Sequence, residues 1–141
     1  MDLMEEIIAY AEEGFYCSQI MMLLALGEEE RTNPDLIRAM TGLNGGMGNS
    51  GGICGTLTSG CCVIGYFAGK GEPDELEAPA LDQMIGEYVR WFESTVGYPY
   101  GGCACCTILE GDARNQLTRC PGILKMAYEK ITEILTKSGV V

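Results

Sequence analysis

Residues 74–96 read DELEAPALDQMIGEYVRWFESTV, and this stretch decides the fold class. Within it Leu81, Met84, Ile85, Tyr88, Val89 and Phe92 recur at steps of three and four, which gathers them on one face of a helix. Working outward toward the C-terminus, Ile123, Met126, Ala127, Ile131, Ile134 and Leu135 repeat that spacing. Pro121 suits the first position of this last helix and Gly139 ends it. Toward the N-terminus, a helix is predicted from about Ile53 to Ala68, stopping at Gly69-Lys70-Gly71. Before it runs the one long glycine-rich loop, Gly42 to Gly52. Asn33 caps a short helix that opens with Pro34 and continues through Met40. Another runs from Cys17 to about Leu26 with Gly27 as its stop. A first stripe, Leu3, Ile7, Tyr10 and Ala11, ends at Gly14. No segment alternates as a strand would. The expected architecture is all-α: a bundle of five or six helices, forming one cysteine-rich domain over residues 1–141.

The chain has eight cysteines and no histidine. Four of them fall where a helix is predicted to begin. Cys17 follows Gly14-Phe15-Tyr16, Cys54 follows the glycine loop, Cys106 opens Cys106-Thr107-Ile108-Leu109-Glu110-Gly111, and Cys120 precedes Pro121. The first turn of a helix presents unpaired N–H groups and the positive end of its dipole, which favour a thiolate over a thiol. Thiolate attacks disulfides and binds soft metals. Arg119 adds a cation beside Cys120, and cysteine is a poor capping residue where serine or aspartate would serve better. The lack of histidine removes Ser-His-Asp and Cys-His catalysis and mixed Cys/His zinc sites.

At 141 residues the chain can bury about two-thirds of its unfolded surface, so it does not need disulfides to fold. No apolar run approaches the roughly 18 residues of a membrane span. The acidic start, Met1-Asp2-Leu3-Met4-Glu5-Glu6, lacks the basic region and cleavage site of a secretory signal, which points to the cytoplasm and its reduced thiols. Nine basic against twenty acidic residues give a net charge of −11. Such a field repels nucleic acid and anionic membrane, and neither is an expected partner.

Several motifs have competing structural readings. Gly46-Met47-Gly48-Asn49-Ser50-Gly51 matches the dinucleotide fingerprint in form, but a helix precedes it and no parallel sheet follows, so the nucleotide reading fails. Glycines there let backbone approach backbone and bring the start of the Cys54 helix against other elements. Gly55 leaves space beside the Cys54 sulfur, and Thr56, Ser59 and Gly60 are small enough for a neighbouring helix to pack closely. Cys61 shares a face with Cys54 and Cys62 does not; both read as core packing. Cys103-Ala104-Cys105-Cys106 is the densest sulfur cluster, suited to a resolving thiol or to soft-metal ligands. No CxxC pair exists, so the usual zinc-ribbon and ferredoxin spacings are missing. Tyr98-Pro99-Tyr100 reads as a loop.

Taken together, these segments resemble the C_GCAxxG_C_C family of small helical redox-active bacterial proteins. Gly14-Phe15-Tyr16-Cys17-Ser18-Gln19 looks like its first cysteine segment. Gly45-Gly46-Met47-Gly48 leading into Cys54-Gly55-Thr56-Leu57-Thr58-Ser59-Gly60 looks like its central motif. Cys106 with Gly111 resembles the third site, and Cys120-Pro121 the fourth. Thr56 stands where the family usually has alanine, Ser59 where it has glycine, and Cys61, Cys62, Cys103 and Cys105 are additional.

The leading expectation is a redox protein in which Cys17, Cys54, Cys106 and Cys120 converge and cycle between dithiol and disulfide, exchanging with a redox partner protein. Gly46, Gly48, Gly55 and Arg119 support the site. The catalysis would be of thiol-disulfide oxidoreductase type, with Cys54 and Cys120 the preferred nucleophiles and no connectivity specified. A second reading is a metal-binding protein. There Cys17, Cys54, Cys103, Cys105, Cys106 and Cys120 hold an iron–sulfur cluster, zinc or copper as thiolate ligands. A third is a non-catalytic helical interaction subunit. A homo-oligomer built on apolar helix faces fits the pattern, with no stoichiometry specified.

Overall fold

The amphipathic stretches fold as helices because each has one apolar face to bury and a defined start. In the computed structural model, which describes residues 1–141, five helices of ten or more residues form the bundle: α1 (Leu3–Glu12), α2 (Cys17–Glu28), α4 (Gly55–Ala68), α5 (Leu81–Phe92) and α8 (Asn115–Lys137). Shorter pieces join them: α3 (Pro34–Met40), a 3-10 turn at Thr41–Leu43, α6 (Tyr98–Tyr100) and α7 (Cys105–Ile108). The all-α architecture predicted from residues 74–96 is the one observed. Asp2 caps α1, its carboxylate accepting the Glu5 N–H at 2.8 Å. Asn33 caps α3 by accepting the Leu36 N–H at 3.1 Å, as its sequence position required.

α4 is central, packed against α2, α5 and α8. Its small residues make this closeness feasible. A Cβ at Gly60 would stand 2.3 Å from the Tyr88 hydroxyl, so α5 lies against bare backbone there. Tyr88 is fully buried and donates its O–H to the Thr56 carbonyl at 2.8 Å. Trp91 stacks on it with ring centroids 6.1 Å apart. Ile7, Met21, Ile64, Phe92, Leu124 and Ile131 belong to the same continuous core.

The boundaries differ from expectation in four places. α2 runs through Gly27, and the left-handed residue that turns the chain away is Glu30, at φ 53°. Burial of Leu24, Ala25 and Leu26 outweighs the weak helix propensity of glycine. Residues 74–80 stay outside α5, which starts at Leu81. Beyond Phe92 the chain does not stop: a π turn over Glu93–Gly97 leads into Tyr98–Tyr100, so Tyr98-Pro99-Tyr100 is helical. α8 opens at Asn115, and Pro121 lies inside it. Cys120 is therefore not at a helix start.

The glycine loop contains five consecutive residues in the left-handed region: Gly45, Gly46, Met47, Gly48 and Asn49, with φ from 59° to 78°. Three glycines keep this turn accessible, since such backbone costs other residues about 1–2 kcal/mol each. Its amides point inward: those of Met47, Gly48, Asn49, Gly51 and Gly52 bond to carbonyls of residues 42–46. These amides are therefore not free to hold a phosphate. Past the loop, Ile53 and Ala104 form a single antiparallel bridge. The Cys54 amide donates to the Cys103 carbonyl at 2.8 Å and the Cys105 amide to the Gly52 carbonyl at 2.6 Å. This bridge joins the Cys54 segment to the Cys103–Cys106 segment. No helix is long and apolar enough to cross a membrane.

Candidate functional site

Four cysteines from four stretches of chain line one cleft of about 330 Å³: Cys17, Cys54, Cys105 and Cys120. Three of them are among the four converging residues expected from sequence. The fourth is Cys105, which half-buries its side chain in the cleft, while its neighbour Cys106 is exposed. Cys106 lies instead against Gly51, whose Cβ would meet its sulfur at 3.6 Å. Both cysteines lie in the first turn of α7, where successive side chains are turned by about 100° around the helix axis, so only one of the two reaches the cleft.

Each cleft cysteine is held by its flanking sequence. Cys17 is the first residue of α2, and the next two residues fix it. The buried Ser18 hydroxyl donates to the Met40 carbonyl at 2.7 Å, and the Gln19 side-chain amide donates to the Thr41 hydroxyl at 2.9 Å. Gln19 also accepts the Tyr16 N–H at 3.1 Å. Cys54 is the N-cap residue of α4. Gly55 makes room beside it: a Cβ there would stand 2.8 Å from the Leu43 carbonyl oxygen and 3.1 Å from the Cys17 sulfur. Cys17 therefore lies against the first residue of the Cys54 helix.

Gly46 packs backbone on backbone, a Cβ there falling 2.3 Å from the Gly52 amide nitrogen. Gly48 faces open space and serves only the left-handed turn. Arg119 does not face Cys120. Its guanidinium pairs with Glu110 at 2.8 Å, donates to the Ile108 carbonyl and lies 5.2 Å from the centre of the Tyr100 ring. It ties down the end of α7, the helix that carries Cys105.

The electrostatics overturn the expectation of ready thiolates. Burial pushes the Cys17 thiol up to about 11, and the nearby Cys54 and Cys105 add to that. Burial pushes Cys120 up to about 12, with Cys17, Cys54 and Cys105 contributing in that order. Cys54 and Cys105 are raised as well, again chiefly by burial. Helix-start amides do act in the predicted direction. That of Ser18, joined by the glycine-loop amide of Gly45, favours the Cys17 thiolate, and those of Thr56 and Leu57, with the Thr56 hydroxyl, favour the Cys54 thiolate. Desolvation outweighs them. Cys120, in mid-helix, has no such donors.

Cys54 occupies the middle of this set. A charge on it opposes ionisation of Cys17, Cys103, Cys105, Cys120 and Tyr88. Cys103 lies outside the cleft, its sulfur 2.5 Å from where a Cβ of Gly97 would be. Cys61 is half-buried near Tyr88, and Cys62 is exposed. No three cysteine, aspartate or glutamate side chains stand close enough together to hold a metal ion. The six cysteines of the metal reading therefore form no ligand set in this arrangement.

Sequence reasoning missed the side-chain amides that line the cleft with the thiols, those of Asn44, Asn49 and Gln116. Asn44 and Asn49 flank the left-handed turn, and an asparagine at positive φ inside a glycine loop was the one legible signal. No charged residue lines the cleft.

A family model described as "Putative redox-active protein (C_GCAxxG_C_C)" matches residues 15–134. No curated protein and no solved structure matches the chain.

Proposed function

The chain belongs to the redox-active C_GCAxxG_C_C family, and from that premise we propose that its cleft carries out dithiol–disulfide exchange, with Cys54 as attacking sulfur and Cys17 as resolving sulfur. The observation that supports this is the meeting of Cys17, Cys54, Cys105 and Cys120 in one uncharged cleft. Cys54 is favoured because three donors face its sulfur. Cys120, half-buried and inside α8 without donors at its sulfur, is less suited than Cys54 to make the first attack on substrate. The Cys54 thiolate attacks one sulfur of a substrate disulfide, forming a mixed disulfide and releasing the first substrate thiol. Cys17 then gives up its proton and attacks the Cys54 sulfur, releasing the second. Two substrate thiols form, and Cys17 and Cys54 are left joined. The residual charge that develops is met by helix-start amides rather than by a histidine or metal. The neutral side-chain amides of Asn44, Asn49 and Gln116 in the cleft suit a small uncharged disulfide.

Oxidation with a chromogenic aromatic disulfide, followed by peptide mass mapping, tests the reading. A Cys17–Cys54 linkage is expected. Cys54→Ser should lower the exchange rate at least 100-fold, and Cys105→Ser should slow it more than Cys106→Ser. The absence of any reversible linkage among the cleft cysteines would end the proposal.

A further inference from the structure

Cys17 and Cys120 have a second face. On the outer side of the bundle, where α1 turns into α2 and crosses α8, lies a separate hollow of about 300 Å³. Tyr16, Cys17, Gln116 and Cys120 line both this hollow and the cleft, so this pair of cysteines belongs to the wall between them. The two chambers differ in chemistry. Asn44 and Asn49 face the cleft, whereas the hollow is lined by Ile7, Ala11, Phe15, Leu117, Pro121 and Leu124 and carries no charge. Cys54 and Cys105 open only to the cleft.

Two further features mark the hollow. Leu117 is 84% exposed on its rim, an apolar side chain left in solvent. Pro121 has no N–H, so it cannot make the helical bond to the Leu117 carbonyl. Thiols in the wall, apolar sides and the exposed Leu117 on the rim suit an apolar polypeptide segment carrying cysteine better than a small polar molecule.

We infer that Cys17 and Cys120 form a second exchange pair, and that the hollow over them receives a cysteine-bearing apolar peptide segment of a redox partner protein. The inference rests on the exchange reading above and gives it a direction. After Cys17 and Cys54 join, Cys120 loses its proton and attacks the Cys17 sulfur. The Cys17–Cys54 bond breaks and Cys54 leaves as a thiol. A partner thiolate then attacks Cys120 from the hollow, releasing Cys17, and the partner's second thiol frees Cys120 as its own disulfide forms. Two electrons and two protons pass from the partner dithiol to the substrate disulfide, with Cys17 as the shared sulfur. Cys17 and Cys120 line both chambers and Cys54 only the cleft, which gives the relay its order from the hollow inward.

The test uses the full oxidised chain and two reductants: dithiothreitol, and an uncharged peptide with two cysteines flanked by leucine and alanine. Leu117→Asp should slow reduction by the peptide tenfold or more and leave the dithiothreitol rate within twofold. Cys120→Ser should still form the Cys17–Cys54 linkage on mass mapping, yet lose the preference for the peptide. Equal rates with the peptide for Leu117→Asp and the native chain would overturn the inference, as would equal slowing with both reductants. Reduction of oxidised chain by reduced copies faster than by the peptide would assign the hollow to a second copy and overturn it too. Failure of the Cys17–Cys54 linkage to form at all would instead defeat the underlying exchange reading.

Discussion

At the scale of single residues, the cleft cysteines set desolvation against helix-start amides, and desolvation wins. This has a measurable sign. The Cys17 and Cys120 thiols move from an ordinary 9.0 to about 11 and about 12. Below pH about 9 folded and unfolded chains both keep these protons, and the stability associated with them is fully present. Above it the unfolded chain ionises while the folded one resists, so stability is lost as pH rises toward 11–12. Thermal melts of the reduced protein should show this alkaline loss, and the oxidised protein, whose joined sulfurs no longer titrate, should show a shallower one. Thr56 acts on the opposite side of the balance through its hydroxyl at the Cys54 sulfur. Removing one such hydrogen bond, worth about 1 kcal/mol, by Thr56→Val should slow alkylation of Cys54 at pH 8 roughly fivefold. Thr56→Ser should restore it. Equal rates in all three proteins would remove Thr56 from the account.

At the scale of elements, the site is assembled by close packing at α4 and by one irregular helix. Gly55 and Gly60 lack the Cβ atoms that would push away Cys17, the Leu43 carbonyl and Tyr88. α8 carries Cys120 on its second turn and Pro121 next to it. A proline inside a helix costs about 3 kcal/mol through its missing hydrogen bond and ring clash. Pro121→Ala should therefore raise stability by about 1–3 kcal/mol, read as a higher urea midpoint at unchanged slope, with part of the gain offset by a more flexible unfolded chain. A lower midpoint would show that proline relieves strain at this position. The same substitution should make the Leu117 carbonyl an ordinary helical acceptor.

At the scale of the whole molecule, a continuous core of buried side chains drawn from α1, α2, α4, α5 and α8 holds the fold together, and all eight cysteines are free thiols. Full reduction should leave the far-ultraviolet circular dichroism unchanged, and a chain that lost its helices on reduction would contradict this. The amino-acid sequence by itself determined the helical class, because apolar spacing of three and four residues admits no other way to bury Leu81 through Phe92 on one face. It also determined the helix starts at Cys17 and Asn33 and the turn at the glycine loop, where local chemistry is sufficient. Tertiary structure decided the rest. Which of Cys105 and Cys106 enters the cleft depends on a single bridge between Ile53 and Ala104, a contact between residues far apart in the chain. Whether Cys120 begins a helix depends on residues 115–119 folding back over α7, where Asn115 and Arg119 hold the Leu109 and Ile108 carbonyls. Whether a helix-start cysteine is a thiolate depends on how much water its neighbours remove, and burial is a property of the assembled bundle rather than of any segment.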